Sequence, residues 1–508
     1  MSQARAWSVA LVGVEGTMVE VEAAISSGLP RTTMVGLPDT ALYEARDRCR
    51  AAMASARFGW PSDPVTINLS PATLPKAGSH YDLAIAAAVA AAARRFDPAA
   101  LEGTALFGEL GLDGRVRTVR GLLPALLTVA KRGDFGRVVV PAGQLREAAL
   151  VGGLGIAGAA DLADLFSILR GGPGALAPPP PVPQEDERPP LDLADVAGQV
   201  EGKWALEVAA AGRHHLFLHG PPGVGKTLLA ERLPGLLPDL ERSEALEVSA
   251  VHSLAGLTLD GGLVRRPPYA DPHHSASVAS LVGGGARIAL PGAVSRAHRG
   301  VLFLDEAPEF SPRVMEALRV PLESGRIVLG RAVATATYPA SFQLVLAANP
   351  CPCGQAGVRD GNCRCAPMAV RRYATRISGP ILDRIDIHQQ LRQVRAALLG
   401  ASHPPGEASV IVAERVRAAR DRQRHRLAPS GWRTNGEVPG PALRKRLPLP
   451  DGPELLDAAV ARGRLSARGV DKVLRLAWTI ADLAGDERPT REQLHTALAM
   501  RRGEEVGL

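Results

Sequence analysis

The 508-residue sequence contains no run of about 18 consecutive apolar residues, so its pattern offers no membrane-spanning helix. The amino terminus lacks the charged start, apolar stretch and small-residue cleavage site of an export signal, and the expected location is the cytoplasm. Cysteine is scarce, with five residues in all, and a disulfide framework is not expected in so long a chain without an export signal. Short internal repeats are missing too. Lysine is nearly absent: of 59 basic residues six are lysine and 53 arginine, within a formal net charge of +7.

What is present is length enough for about two to four domains, each able to bury its own core. Residues 1–170 mix alternating stretches such as "TMVEVEAAI" and "PVTINLS" with helical ones such as "DTALYEARDRCRAAMASA", an α+β pattern. Residues 171–190, "GGPGALAPPPPVPQEDERPP", read as a proline-rich linker. A second break, "ASHPPGEAS", separates residues 191–400 from a basic, mostly helical part, 401–508. Between Glu414 and Arg446 ten basic residues face three acidic ones. Arginine forks suit phosphate, so nucleic acid is one candidate partner, and a solvated helix face is the other reading.

Four of the five cysteines, Cys351, Cys353, Cys363 and Cys365, fall in "CPCGQAGVRDGNCRC". Two C-x-C pairs suggest four thiolates for a structural zinc ion, although the spacing is tighter than the usual knuckle; reduced, unligated thiols are the alternative.

The chemistry is clearest at "GPPGVGKT", Gly220, Pro221, Pro222, Gly223, Val224, Gly225, Lys226 and Thr227, placed between an apolar strand and an amphipathic helix. Such a loop wraps phosphates with backbone N–H groups; Lys226 would reach the β and γ phosphates of ATP, and Thr227 would hold Mg2+. "GVLFLDE" is a buried parallel strand by pattern and ends in Asp305, a second magnesium residue, and Glu306, which would polarise the attacking water. "FQLVLAANP" ends in Asn349, suited to holding that water. Arg384, in a loop before an apolar strand, is a candidate arginine finger, and Arg468 starts a helix from which it could touch the γ phosphate.

This order of P-loop, Asp-Glu strand, Asn strand and two arginines resembles the AAA+ ATPases. The resemblance implies a homo-oligomeric ring, usually hexameric, in which fingers act on the neighbour's nucleotide. The segment "PPYADPHHSASVASLVGGGARIALPGAVSRAHRGVLFLDEAPEF", with "NPCPCG" and "RISGPILDRIDIH", resembles more closely the magnesium-chelatase-like AAA+ family of ComM and YifB. It departs from the family pattern at Arg296 and Ser275, away from the ATP chemistry. The resemblance covers essentially the whole chain. It implies a multidomain α/β protein: an α+β Lon-protease-like (ribosomal S5 domain 2-like) domain, a P-loop AAA+ parallel-sheet core and a helical lid. It also implies an ATP-driven motor on branched or single-stranded DNA, a branch-migration helicase for recombination of incoming DNA in natural transformation. A chelatase-type motor subunit would share the core, and is the first alternative.

For DNA contact the candidates are Arg331 near the tip of a hairpin "RIVLGRAVATATY", Arg415, Arg417, Arg420 and Arg422 of the basic stretch, and the insert from Tyr269 to His274. His273 and His274 are read as interdomain or DNA contacts ahead of a metal site. The second alternative is a Lon-like protease, because "PKAGSHYD" offers Ser79, His80 and Asp82. Aligned with the Lon pattern, however, His80 takes the nucleophile's place and Leu123 that of the general-base lysine, which leaves Ser79 without a base. Ser79, His80 and Asp82 are therefore expected to be turn and helix-start residues.

Overall fold

The computed structural model describes residues 2–36, 40–74, 76, 78–172, 174–176, 191–285, 289–331, 334–357, 362–393 and 406–505. The proline run of the expected linker, 177–190, and the first part of the second break, 401–405, lie outside the described residues.

The amino-terminal region is built on β1 (Ser2–Val12), β2 (Glu15–Ile25), β3 (Thr32–Val35), β4 (Val65–Ser70), β5 (Thr104–Leu106), β6 (Glu109–Leu110), β7 (Val116–Arg117), β8 (Arg137–Pro141), β9 (Gly155–Ala159) and β10 (Ala175–Leu176). Apart from the small β6–β7 ribbon, they form one mixed sheet in the order β10-β9-β8-β5-β1-β2-β4-β3. β1 and β2 pair antiparallel from Ser2↔Ile25 to Val12↔Glu15, so only Gly13 and Val14 make the turn. β4 shows the period of a one-sided strand, with Val65, Ile67 and Leu69 buried and Thr66 exposed. The Ala-rich helix Asp82–Ala92 is apolar all round and buried along its whole length. The sheet extends to Leu176, past the boundary expected at 170, because a two-residue strand leaves no readable period.

The central region carries β11 (Leu216–His219), β12 (Tyr269–Ala270), the short pair β13 (Gly283–Gly284) and β14 (Leu290–Pro291), β15 (Val301–Leu304), the hairpin β16 (Arg326–Gly330) and β17 (Thr335–Pro339), β18 (Gln343–Ala348) and β19 (Ile387–Gln390). Five of them form a wholly parallel sheet, β12-β15-β18-β11-β19. Every residue of β15 and β18 is buried, as expected of strands covered on both faces. β11 lies between β18 and β19, where the strand order reverses, the position at which open parallel sheets bind ligands beyond their carboxyl ends.

Helices Ser409–Leu427, Ala467–Ala484 and Arg491–Arg502 form the carboxy-terminal region and share one apolar core with the helices Val200–Gly212 and Lys226–Leu236. The amino-terminal sheet also docks on the central region: Leu11, Val12 and Val14 pack against Leu254, Ala336 and Tyr338. Leu123 donates its N–H to Glu147 Oε1 at 3.1 Å, and Ser253 Oγ donates to the same oxygen at 2.6 Å. Among the described residues no helix is long and apolar enough to cross a membrane.

Candidate nucleotide site

The parallel sheet brings three strand ends together. After β11 the chain turns through Gly220–Gly225 into the helix Lys226–Leu236; Gly223 and Gly225 take φ of 78° and 91°, a left-handed backbone that glycine adopts without strain. Lys226 is 8% exposed and its Nζ donates to Gly220 O at 2.8 Å, Pro221 O at 2.9 Å and Asn349 Oδ1 at 2.9 Å. Burial holds its ammonium below the usual lysine range, and Asp305 and Glu306 offset part of that. Thr227 Oγ1 donates to Asp305 Oδ2 at 2.7 Å, and Glu306 N to Asp305 Oδ1 at 2.8 Å. Glu306 has φ 48°, a left-handed conformation that costs a non-glycine residue energy and that clusters at functional sites.

Register explains the assembly: Leu304 of β15 pairs with Leu346 of β18, and His219 of β11 with Ala348, so the residues that follow each strand share one edge. One further group enters there. His274 Nδ1 stands 3.6 Å from Glu306 Oε2, and its ring lies 4.0 Å from that of His273. The insert that the sequence associated with DNA or domain contacts thus lies beside the carboxylate. The pairing joins residues far apart in the chain, and no local spacing could have signalled it.

The two arginines are elsewhere. Arg384 precedes β19 and therefore sits at the opposite, amino end of the sheet from the P-loop, about 13 Å away along a four-residue strand. It is 9% exposed, donates to Pro380 O at 2.6 Å and pairs with Glu323. Arg468 lies 3.4 Å from the same Glu323 oxygen and 3.5 Å from Asp383 Oδ2. Arg468 thus groups with Arg384, not with Lys226 of its own chain.

Comparison with known proteins bears on the same residues. Residues 192–399 match the family model described as magnesium chelatase, subunit ChlI; residues 21–144 match subunit ChlI of Mg-chelatase, and residues 406–501 its C-terminal model. An uncharacterised protein of Mycobacterium tuberculosis is 53% identical over 99% of both chains. YifB of Escherichia coli is 42% identical over 97% of this chain and 96% of its own, and competence protein ComM of Haemophilus influenzae 38% over 99% and 98%. The chain belongs to the magnesium-chelatase-like family of ComM and YifB.

In this family member Ser79, His80 and Asp82 have separate partners. Ser79 Oγ is bonded to Glu109, His80 Nε2 contacts Val9 O at 2.7 Å, and Asp82 accepts from Arg48 Nε at 2.9 Å and Nη2 at 3.0 Å. Three divergent partners leave no relay among them. Leu123, which the Lon pattern would align with a general base, is fully buried beside Glu147 and Ser253.

The basic stretch is mostly spent inside the chain. Arg415 clasps Glu207 at 2.6 and 2.8 Å, Arg420 donates to Ala210 O at 2.7 and 3.0 Å, and Arg422 to Asp482 O at 2.6 Å. The first two hold the helix Ser409–Leu427 to Val200–Gly212, because acidic and carbonyl acceptors on the facing helix outcompete solvent for them. Arg417 is exposed, and Arg331 at the end of β16 is exposed while donating to Gly285 O at 3.1 Å.

Proposed function

We propose that this chain is an ATP-hydrolysing ring motor that acts on branched or single-stranded DNA, as a branch-migration helicase in recombination of incoming DNA. The observation that carries the ATPase reading is the convergence of Lys226, Thr227, Asp305, Glu306 and Asn349 on one sheet edge. A buried lysine surrounded by oxygen acceptors fits an anionic ligand, which would replace the loop carbonyls as its partner. The Thr227 hydroxyl and Asp305 carboxylate are hard oxygen donors suited to Mg2+, which when bound neutralises phosphate charge. Lys226 binds the terminal phosphates, Glu306 orients the attacking water and Asn349 holds it. His274 steadies Glu306 from the side.

Two observations support a ring: Arg384 and Arg468 lie together at the end of the sheet remote from their own P-loop, and both stand on Glu323. A neighbour's nucleotide is the partner such a pair would meet. Support for DNA comes from the relative named as a competence protein and from the exposed Arg331 and Arg417. Contacts of this sort read backbone phosphates, so binding falls steeply with salt. Proteolysis is disfavoured by the three separate partners of Ser79, His80 and Asp82.

The test is the ATPase rate with and without forked DNA, together with ATP-dependent branch migration, in wild type and Glu306→Gln. We expect DNA to stimulate wild type, and the variant to bind ATP while turnover falls by about 100-fold or more. A wild-type protein that hydrolyses ATP but ignores every branched substrate would sink the DNA motor and favour the chelatase-type alternative.

A further inference from the structure

The Cys-rich segment is built into the nucleotide site. Cys351 follows directly on Asn349 and Pro350 at the end of β18, so the acceptor of Lys226 is nearly adjacent to the first thiol. Gly354, at φ 77°, passes so close to the P-loop that a Cβ there would stand 2.4 Å from Cγ and Cδ of Pro222. No side chain fits between these two loops.

Within the segment, the Cys351 and Cys353 sulfurs are 3.3 Å apart, Cys351 and Cys363 3.8 Å, and Cys353 and Cys363 3.7 Å. All four ligand atoms, that of Cys365 included, lie within 4.8 Å of one another. A tetrahedral ion with bonds of about 2.3 Å to sulfur sets its ligands about 3.8 Å apart, close to the 3.8 and 3.7 Å that separate Cys363 from Cys351 and Cys353. The tight C-x-C pairs achieve it because the chain reverses through Gly354 and Gly357, at φ 77° and 73°. A disulfide would need sulfurs about 2.05 Å apart, and all four thiols are free. Soft thiolates in this geometry select zinc over magnesium, and sulfurs this close enclose one ion and no multi-iron cluster. Only Cys351 is buried, so the segment has little apolar core to hold its shape.

We propose that Cys351, Cys353, Cys363 and Cys365 bind a single Zn2+ and that this ion clamps the junction of the P-loop and Asn349, so that metal occupancy sets nucleotide affinity. On binding, four S–H bonds are exchanged for four Zn–S bonds and the protons leave to solvent. The ion fixes Cys351 and the turn at Gly354; the first holds Asn349 against Lys226, and the second supports Pro222. The coupling rests on the reading of Lys226 as the phosphate-binding lysine.

The experiment uses the full chain, purified without chelator. Elemental analysis should find about one zinc per chain, and exchange for cobalt should give the thiolate-to-metal absorption of a tetrahedral sulfur site. A fluorescent ATP analogue is then titrated into zinc-loaded, chelator-stripped and zinc-restored protein. Stripping should weaken binding by about tenfold or more, and zinc but not magnesium should restore it. The double variant Cys363→Ser, Cys365→Ser, which leaves Gly354 and Cys351 unchanged, should reproduce the stripped state with an unchanged circular dichroism spectrum. Absence of both zinc and cobalt binding overturns the site. Zinc that can be removed without changing nucleotide affinity overturns the clamp. Lys226→Ala should retain zinc and lose the nucleotide; normal nucleotide binding by that variant would overturn the underlying reading of Lys226 while leaving the metal count intact.

Discussion

Four imidazoles are held uncharged by burial at points the fold cannot rearrange cheaply. His80, His214, His215 and His388 are all depressed to about 4, with burial the largest cause in each. His215 shows the geometry: its Nδ1 accepts from Leu344 N at 3.0 Å, so a proton on that atom would break the bond. An unfolded histidine titrates near about 6.5, and between that value and about 4 the unfolded chain binds more protons than the folded one. Stability is therefore complete above about pH 6.5 and is lost on acidification, each group adding a slope of about 1.4 kcal/mol per pH unit inside the window. We expect urea midpoints to fall between pH 7 and pH 5 and His215→Asn to flatten that slope; a midpoint independent of pH would contradict the assignment. At this scale the P-loop was legible because its chemistry occupies one continuous stretch. The meeting of His274 with Glu306, and the shared hold of Arg384 and Arg468 on Glu323, were not, since each joins separate elements.

Among the elements, β15 and β18 announced themselves by their apolar runs, whereas the basic helix Ser409–Leu427 hid most of its partners. Its charge density suggested a nucleic-acid face, but a count along one helix cannot see Glu207 and the Ala210 carbonyl waiting on another. The carboxy-terminal helices are also fastened through Lys472, whose Nζ reaches Asp386 Oδ1 at 2.7 Å and Arg384 O at 2.8 Å. Burial alone would raise the Asp386 carboxyl, yet the Lys472 charge beside it holds it well below the usual carboxylate range. Removing one partner strands the other charge in the interior. Lys472→Met should destabilise the protein by about 3–5 kcal/mol, and adding Asp386→Leu should recover a large part. Thermal melts of the two variants decide it, and equal losses in single and double variant would refute the pairing.

Over the whole molecule, composition suggested breaks in the chain but not the docking of the amino-terminal sheet on the central region, which depends on close approaches without a motif. Gly13 is the sharpest: at φ 67°, a Cβ there would lie 2.4 Å from Thr337 O, a backbone atom that cannot swing aside. Gly13→Val should loosen the two regions and expose their junction to limited proteolysis. Gly59→Val is the control, with a comparable φ of 63° and nothing within 4 Å of its Cβ. Similar cleavage in both variants would mean that backbone strain, not the contact, is responsible.

The hairpin β16–β17 stands between these attachments. At its base, the last turn of the helix Arg319–Ser324 carries Glu323, the residue that holds Arg384 and Arg468, just before β16 begins. Along its flank, Thr337 of β17 bears on the turn at Gly13. Glu323 therefore ties both arginines to the root of the hairpin, and Thr337 ties its flank to the amino-terminal sheet. The hairpin is thus a shared bracket: the arginine pair is held at one end of it, and the amino-terminal sheet leans on its side.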